Sequence, residues 1–286
     1  MSSPSTQDHD YCLQLVRQLD NDRYLATLLA PEALRDLLWP LYAFDAEIAR
    51  IRGLVTEVSL GEIRYQWWRD SIDAIYEGRA VEPHPVLIGL EPIIELGDLP
   101  KHAFVNLIEA RRFDLYDDPM PTLNDLEGYL GETSSVLMQL AARVLVGEDS
   151  FALSDVTGAA GVAYGLARLM ATLPAQCARG QCFVPLDLLE KCDLTPAHVM
   201  AGRRDQGLDV IMSQLRHHAQ RRLAEARERV SEVPAMALPA LWPASLVDLY
   251  LKRLARPGSD PFKKATEASQ LRRQIRLTKM WLTESF

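Results

Sequence analysis

Apolar residues recur at three- and four-residue steps along most of the chain, which is the spacing of side chains on one side of an α-helix. The stretch from residue 41 to 78 shows this spacing twice and predicts two helices joined by a short connection. The buried stripe of the first helix is predicted at Leu41, Phe44, Ile48, Ile51 and Val55. Asp45 is placed on the opposite, polar side of the same helix.

The second helix of this stretch is expected to bury Trp68, Ile72, Ile75 and Tyr76. Ser59 is its predicted N-cap, and Glu62, three residues later, completes a capping box. Arg69 and Asp73 are four residues apart and are predicted to pair on the outer side of the helix. Gly78 is predicted to end it.

Helical spacing extends over most of the remaining chain, at 10–29, 86–96, 101–116, 123–146, 155–173, 207–233 and 238–254. Alternation typical of a strand is limited to short pieces such as 182–184. Pro40 lies inside a helical pattern and predicts a kink or a break there. Thr122, with Asp125 three residues later, predicts a helix start. We therefore predict an all-α protein with a single domain of about ten helices.

The composition excludes several classes of protein. The chain has 286 residues, of which 48% are apolar and 24% charged, and its net charge of −8 argues against nucleic-acid binding. The four cysteines form no CxxC pair, so we expect buried thiols in a reducing compartment rather than a zinc site. The first ten residues lack the features of a secretory or transit peptide, and no segment has the roughly twenty apolar residues that span a bilayer. We therefore expect a cytoplasmic protein.

Two regions carry a resemblance to a known family. Tyr42-Ala43-Phe44 opens one long helix, and a Trp-rich helix that ends in Tyr76-Glu77-Gly78 follows it. Further along, Arg179-Gly180, Val184-Pro185 and Asp187 follow a helix of small residues. In these features the chain resembles the squalene/phytoene synthase family, over residues 11–262. The resemblance implies an isoprenoid-synthase-type helical bundle around a central cavity. Outside this domain we predict that residues 1–10 form a flexible N-terminus and that 263–286 form a basic amphipathic tail.

The aspartate-rich motifs that bind diphosphate through magnesium in enzymes of this family are missing. The resemblance places their acidic positions at Ala49, Arg50, Gly53, Thr172, Ala175 and Gln176. None of the six is acidic. The family's reaction releases a diphosphate of about three negative charges, which magnesium held by hard oxygen ligands must neutralise. The chain is similar in this respect to a non-enzymatic branch of the family, which includes a mitochondrial assembly factor for respiratory complex I.

The candidate ligand-binding residues are Asp45, Arg50, Arg168 and Arg179. Arg50 and Arg168 occupy or adjoin the places of the family's metal-binding carboxylates, and an arginine can bind a phosphate directly through two hydrogen bonds. The alternative is that each arginine pairs with a local acid, as Arg50 would with Glu47. Asp45 and Glu47 could form a shifted metal site, or could belong to an ion-paired helix face. We predict no catalytic residue and no metal ligand. Asp114 and Tyr129 match family positions and could be structural.

Three hypotheses of function follow. The first is a non-catalytic assembly or accessory factor, without a cofactor, whose partner is a membrane respiratory complex like complex I or its subunits. The second is an active head-to-head prenyltransferase that makes squalene or phytoene with magnesium at a shifted site. The third is a protein that binds an isoprenoid, a prenyl diphosphate or another lipid in the cavity. The absence of both acidic motifs favours the first hypothesis over the second.

The C-terminal residues 263–286 carry their own hypothesis. They include six basic residues against two acidic ones, namely Lys263, Lys264, Arg272, Arg273, Arg276 and Lys279 against Glu267 and Glu284. One side of the helix that they would form carries Leu271, Ile275, Thr278, Trp281 and Leu282. This pattern predicts a helix lying on an anionic membrane surface, at the inner face of the membrane, or in the mitochondrial matrix of a eukaryote. The alternatives are a helix packed on the domain and a disordered tail.

Overall fold

The computed structural model describes residues 5–256, 258–263 and 268–286, and within these ranges it contains sixteen α-helices and no β-strand. The first eight are α1 Thr6–Leu19, α2 Asn21–Thr27, α3 Glu32–Leu54, α4 Val58–Tyr76, α5 Pro85–Leu96, α6 Lys101–Arg112, α7 Leu123–Leu130 and α8 Val136–Val146. The last eight are α9 Ser154–Ala171, α10 Leu173–Ala178, α11 Leu186–Glu190, α12 Pro196–Met200, α13 Gln206–Glu228, α14 Leu238–Leu241, α15 Val247–Leu254 and α16 Gln270–Thr283. The predicted all-α fold is confirmed, with more and shorter helices than the periodicity indicated.

Several helix ends follow from local sequence. Thr122 caps α7 and forms the predicted capping box with Asp125. Gly78 adopts a left-handed φ of 65° after α4, where its N–H binds the carbonyl of Ile75. Asp20 caps α2 through the N–H of Arg23, and its non-helical backbone, with φ of −135° and ψ of 73°, separates α1 from α2.

Three local predictions were wrong. The helix α4 begins at Val58 after an N-cap at Glu57, so Ser59 does not cap it. Arg69 pairs with Glu109 at 2.6 Å and Asp73 with Lys101 at 2.7 Å, because the neighbouring helix α6 offers each a partner of opposite charge. Of the kink or break predicted at Pro40, the break is absent, because α3 continues through this residue.

The helix α9 lies at the centre of the bundle and contacts α8, α13, α15 and the π-helical segment Gly131–Ser135. Its small residues permit this close packing, since a Cβ atom at Gly161 would lie 2.3 Å from the Cα of Ser135. Most of α3 is buried against α1, α5 and α8. Asp45, on the polar side of this helix, is buried as well.

The C-terminal helix α16 packs on the rest of the bundle through Leu277 and Met280, and Phe286 behind it is buried. Arg273 and Arg276 point inward and form ion pairs. The predicted apolar side is exposed, at Leu271, Ile275, Trp281 and Leu282. Lys264 and Glu267 lie outside the described residues. No described helix is both long and apolar enough to cross a membrane.

Candidate functional site

A cavity of about 310 Å³ lies where α1, α2, α3, α6, α7 and α9 meet. All four candidate residues from the sequence, Asp45, Arg50, Arg168 and Arg179, line it. Five arginines and two aspartates in total contribute to the lining, the others being Arg23, Arg111 and Asp20. Part of the wall is apolar and consists of Leu19, Ala46, Ala49, Leu130 and Leu169.

Asp45 bridges two of these arginines. Its Oδ2 lies 3.5 Å from Nη1 of Arg23, and its Oδ1 lies 3.4 Å from Nη2 of Arg111. The same Nη1 of Arg23 lies 2.6 Å from Asp20. The charge of this buried carboxylate is therefore compensated by cations from α2 and α6, whose attraction offsets part of the cost of desolvation.

A second network starts at Arg111, whose Nη1 donates a hydrogen bond of 2.8 Å to the hydroxyl of Tyr129. Tyr129 in turn donates to Asp114 at 2.9 Å. Burial raises the pKa of Asp114 to about 6, although Arg111, with Nη1 at 3.7 Å, and the Tyr129 hydroxyl favour the charged form. The two residues that match family positions are thus parts of one hydrogen-bonded chain that reaches the cavity.

Behind Arg168, the carboxylate of Asp22 collects contacts from several elements. It accepts hydrogen bonds from Tyr250 at 2.6 Å, Tyr164 at 3.0 Å and Arg273 at 2.9 Å. Burial opposes the charge on Asp22. The stronger effect comes from the charges and hydrogen bonds of Arg168, Tyr250 and Arg273, which hold the pKa of Asp22 below its ordinary value. The contacts of Arg168 itself are long, at 3.8 Å to Asp22 and 3.4 Å to Tyr250.

Arg50 and Arg179 differ in how they are engaged. Arg50 donates two hydrogen bonds to Glu47, of 2.8 and 2.7 Å, and Tyr11 donates a third to the same carboxylate. The predicted local pair of Arg50 and Glu47 is therefore present. The exposed Arg179 side chain makes no hydrogen bond or ion pair with the residues that the structure describes, although its charge acts on Asp114.

The residues of the cavity do not fit the magnesium that the family resemblance implies. Each of the carboxylates at Asp20, Asp22, Asp45 and Asp114 lies within 4 Å of a guanidinium nitrogen. Of the positions where the family has acids, Ala49, Arg50 and Thr172 line the cavity. No group of three or more His, Cys, Asp or Glu residues within the described ranges could hold a metal ion. Guanidinium groups take the places around these carboxylates that a cation would need.

The helical fold and its cavity define a class of protein, and comparison of the chain with known sequences and structures identifies that class. The profile of the squalene/phytoene synthase family matches residues 16–281, and the chain belongs to this family. The chain is 29% identical, over 91% of its length and 78% of the relative, to the complex I assembly factor 6 of Rattus norvegicus. It is 24% identical to the phytoene synthase of Arthrospira platensis, over 72% of this chain and 71% of that one. A crystal structure of a dehydrosqualene synthase has the same fold, with a TM-score of 0.84, 17% identity and 97% of both chains covered.

Sequence reasoning missed the part of the cavity that α2 and α6 supply. In the segment 10–29 the spacing predicts only a helix, and the run Asp20-Asn21-Asp22-Arg23 lies inside it. Three of these four residues are charged, and Asp22 and Arg23 are buried in the structure. A cluster of charges between two apolar helical stripes is a signal that could have indicated a functional or structural polar site.

Proposed function

We propose that this protein is a non-catalytic accessory or assembly factor for a membrane respiratory complex of the complex I type. The observation that carries the proposal is that arginine side chains engage the cavity carboxylates while the family's acidic motif positions hold Ala49, Arg50, Gly53, Thr172, Ala175 and Gln176. The similarity to the rat protein, a complex I assembly factor, supports the choice of partner. Without a magnesium site, the chain lacks the metal ions that neutralise the leaving diphosphate in the family's reaction.

A second candidate is head-to-head condensation of two prenyl diphosphates to squalene or phytoene. Family membership and the likeness to a phytoene synthase support it. The third candidate, a protein that binds an isoprenoid or another lipid, is supported by the apolar part of the cavity wall. The second and third candidate functions need a ligand in the cavity, whereas the assembly role needs a protein partner. Experiments can therefore separate the three candidate functions.

The test uses the source organism and the purified protein in parallel. Deletion of the gene should lower NADH:quinone oxidoreductase activity and the amount of assembled complex on a native gel, and the wild-type gene should restore both. The purified protein, incubated with farnesyl or geranylgeranyl diphosphate, magnesium and NADPH, should yield no squalene or phytoene and release no diphosphate. Turnover that disappears in Asp45→Asn would overturn the non-catalytic proposal in favour of the prenyltransferase.

We also propose that the protein contacts an anionic membrane surface on the inner side through the exposed side of α16, which in a eukaryote would place it in the matrix. Four apolar side chains lie there, at Leu271, Ile275, Trp281 and Leu282. Arg272 and Lys279 are exposed beside them, and no ion-pair partner is found for either among the described residues. Arg273 and Arg276 are engaged in internal pairs, so fewer basic residues face outward than the sequence indicated. A basic residue that faces outward contributes on the order of 1 kcal/mol to binding at an anionic surface, so Arg272 and Lys279 imply weak attachment.

A further inference from the structure

A separate cleft of about 210 Å³ lies between α13 and the end of α15, and it shares no residue with the cavity that Asp45 lines. We call it the α13–α15 cleft. Its lining consists of Arg204, Asp209, Met212, Arg216, Leu254, Ala255, Arg256, Gly258, Ser259 and Pro261. Three arginines face one aspartate there, so the lining is positively charged although the whole chain has a net charge of −8.

The three arginines come from different elements, and each keeps N–H groups without a protein partner. Arg204 precedes α13 and donates through Nε and Nη2 to Asp209, which leaves its Nη1. Within the described ranges, the Arg216 side chain makes one hydrogen bond, of 3.3 Å, from Nη1 to the carbonyl of Leu254. The exposed Arg256 side chain makes no hydrogen bond or ion pair with the residues that the structure describes. All three guanidinium groups can therefore donate to an acceptor in the cleft.

The turn after α15 brings a fourth donor to the same wall. Gly258 adopts a left-handed φ of 75°, and the N–H of Ser259 binds the carbonyl of Arg256 at 2.9 Å. Ser259 and Arg256 both line the cleft. The hydroxyl of Ser259 is therefore held near the guanidinium of Arg256 by the backbone of the turn.

Further positive charge lies beside the cleft. Burial lowers the pKa of Arg253, and the nearby charges of Arg256 and Arg272 lower it further. Arg272 is exposed on α16, so the positive region extends from the cleft to that helix. Like charges at this proximity repel one another, and a bound anion would relieve the repulsion.

We propose that the α13–α15 cleft binds a phosphate group through Arg204, Arg216 and Arg256. The Ser259 hydroxyl is a further donor. A phosphate monoester carries about two negative charges and several acceptor oxygens, so it can accept hydrogen bonds from arginines on different walls at once. This inference goes beyond the proposed assembly role, and it depends neither on that role nor on the contact of α16 with a membrane.

Two sources could supply the phosphate group, a soluble phosphate ester or the headgroup of an anionic lipid. The lipid is a source because the positive region reaches α16 at Arg272. Glycerol 3-phosphate and vesicles of phosphatidylcholine with phosphatidic acid separate the two, since both carry a phosphate monoester. Vesicle binding that Arg256→Gln weakens assigns the cleft to a lipid headgroup. Binding of glycerol 3-phosphate without such an effect on vesicles assigns it to a soluble ester.

The deciding experiment is calorimetric titration of the full chain with glycerol 3-phosphate, at low salt and in EDTA. The wild type should bind, and Arg256→Gln should weaken binding about tenfold, because charge-assisted hydrogen bonds are lost. Asp209→Asn should strengthen binding, because it removes a negative charge from the lining and releases Arg204 from its ion pair. The melting temperatures of the ligand-free variants show whether both are folded.

Arg64→Gln is the matched control, because Arg64 is an exposed arginine of α4 that does not line the cleft and has no partner among the described residues. It removes the same charge and should bind as the wild type does. Binding that Arg256→Gln leaves unchanged, equal weakening in Arg64→Gln, or no binding by the wild type would each overturn the proposal. So would equally tight binding of succinate, which would show a general attraction for anions.

Discussion

Asp114 shows how a single buried residue couples this protein to pH. It is almost fully buried and accepts a hydrogen bond from Tyr129, yet burial raises its pKa from 3.8 to about 6. The folded state therefore binds a proton at this carboxyl between about pH 4 and pH 6, where the unfolded chain has already released it. Ionisation of Asp114 thus lowers the free energy of unfolding as pH rises through this window, by up to about 3 kcal/mol.

Asp114→Asn removes this titration while it keeps an acceptor for the Tyr129 hydroxyl. We expect the free energy of unfolding of the variant, relative to that of the wild type, to increase by about 1 to 3 kcal/mol between pH 4 and pH 7. Urea unfolding at several pH values measures this difference. Asp70→Asn, at an exposed carboxylate that accepts a hydrogen bond from Gln66, is the control for the loss of one carboxylate at the surface. A flat difference for Asp114→Asn would show that the carboxyl does not titrate in this window.

At the scale of the element, the glycines of α9 set how closely its neighbours approach. Gly161 faces the backbone of Ser135 in the π-helical segment, where an added Cβ would lie 2.3 Å from a Cα atom. Gly158 lies one turn earlier on the same helix, and an added Cβ there would meet no atom within 4 Å. The two positions separate the effect of helix propensity from the effect of packing.

Gly161→Ala and Gly158→Ala should therefore change stability in opposite directions. The Cβ of alanine at position 161 would clash with the backbone of Ser135 and push α9 away from it. This should lower the free energy of unfolding by about 1 to 3 kcal/mol. Alanine at 158 should raise it by up to about 1 kcal/mol, because alanine favours the helical conformation over glycine. Chemical unfolding of both variants at one pH tests this. Equal effects would mean that α9 and the Gly131–Ser135 segment can move apart freely.

Local sequence predicted the ends of the helices better than the ion pairs that join one helix to another. The capping box at Thr122 and the end of α4 at Gly78 were predicted correctly, because both depend on residues within one turn. The pair of Arg69 and Asp73 was wrong because α6, distant in sequence, supplies a better partner for each. For the same reason, no local pattern could place Arg23 and Arg111 on the two sides of Asp45.

At the scale of the whole molecule, the resemblance to squalene/phytoene synthases predicted the fold and one shared property of the site. Asp45, Arg50, Arg168 and Arg179 do line one cavity, because the motif positions of the family lie on helices that face each other. Their ligand-binding role stays a prediction. The sequence indicated the local pair of Arg50 and Glu47, but it could not show that Asp22 lies beside Arg168, because that contact is fixed by tertiary packing.

The exposed side of α16 leads to a prediction about location. A chain that ends at Phe262 would lose the contact of Arg273 with Asp22 as well as the surface, so point variants give the sharper test. Ile275 and Leu282 are 61% and 69% exposed, and their replacement by glutamate leaves the buried side of α16 intact. The wild type should sediment with vesicles of phosphatidylserine and phosphatidylcholine at low salt, and rising salt should release it.

The double variant Ile275→Glu with Leu282→Glu should stay in the supernatant, because it removes apolar contact area and adds two charges that the anionic surface repels. Leu96→Glu is the matched control, since Leu96 is 70% exposed at the end of α5 and should not affect sedimentation. If the double variant sediments like the wild type, α16 is not the membrane contact. Attachment to a membrane complex would then have to come from a protein partner, which binding of the same variants to that complex would reveal.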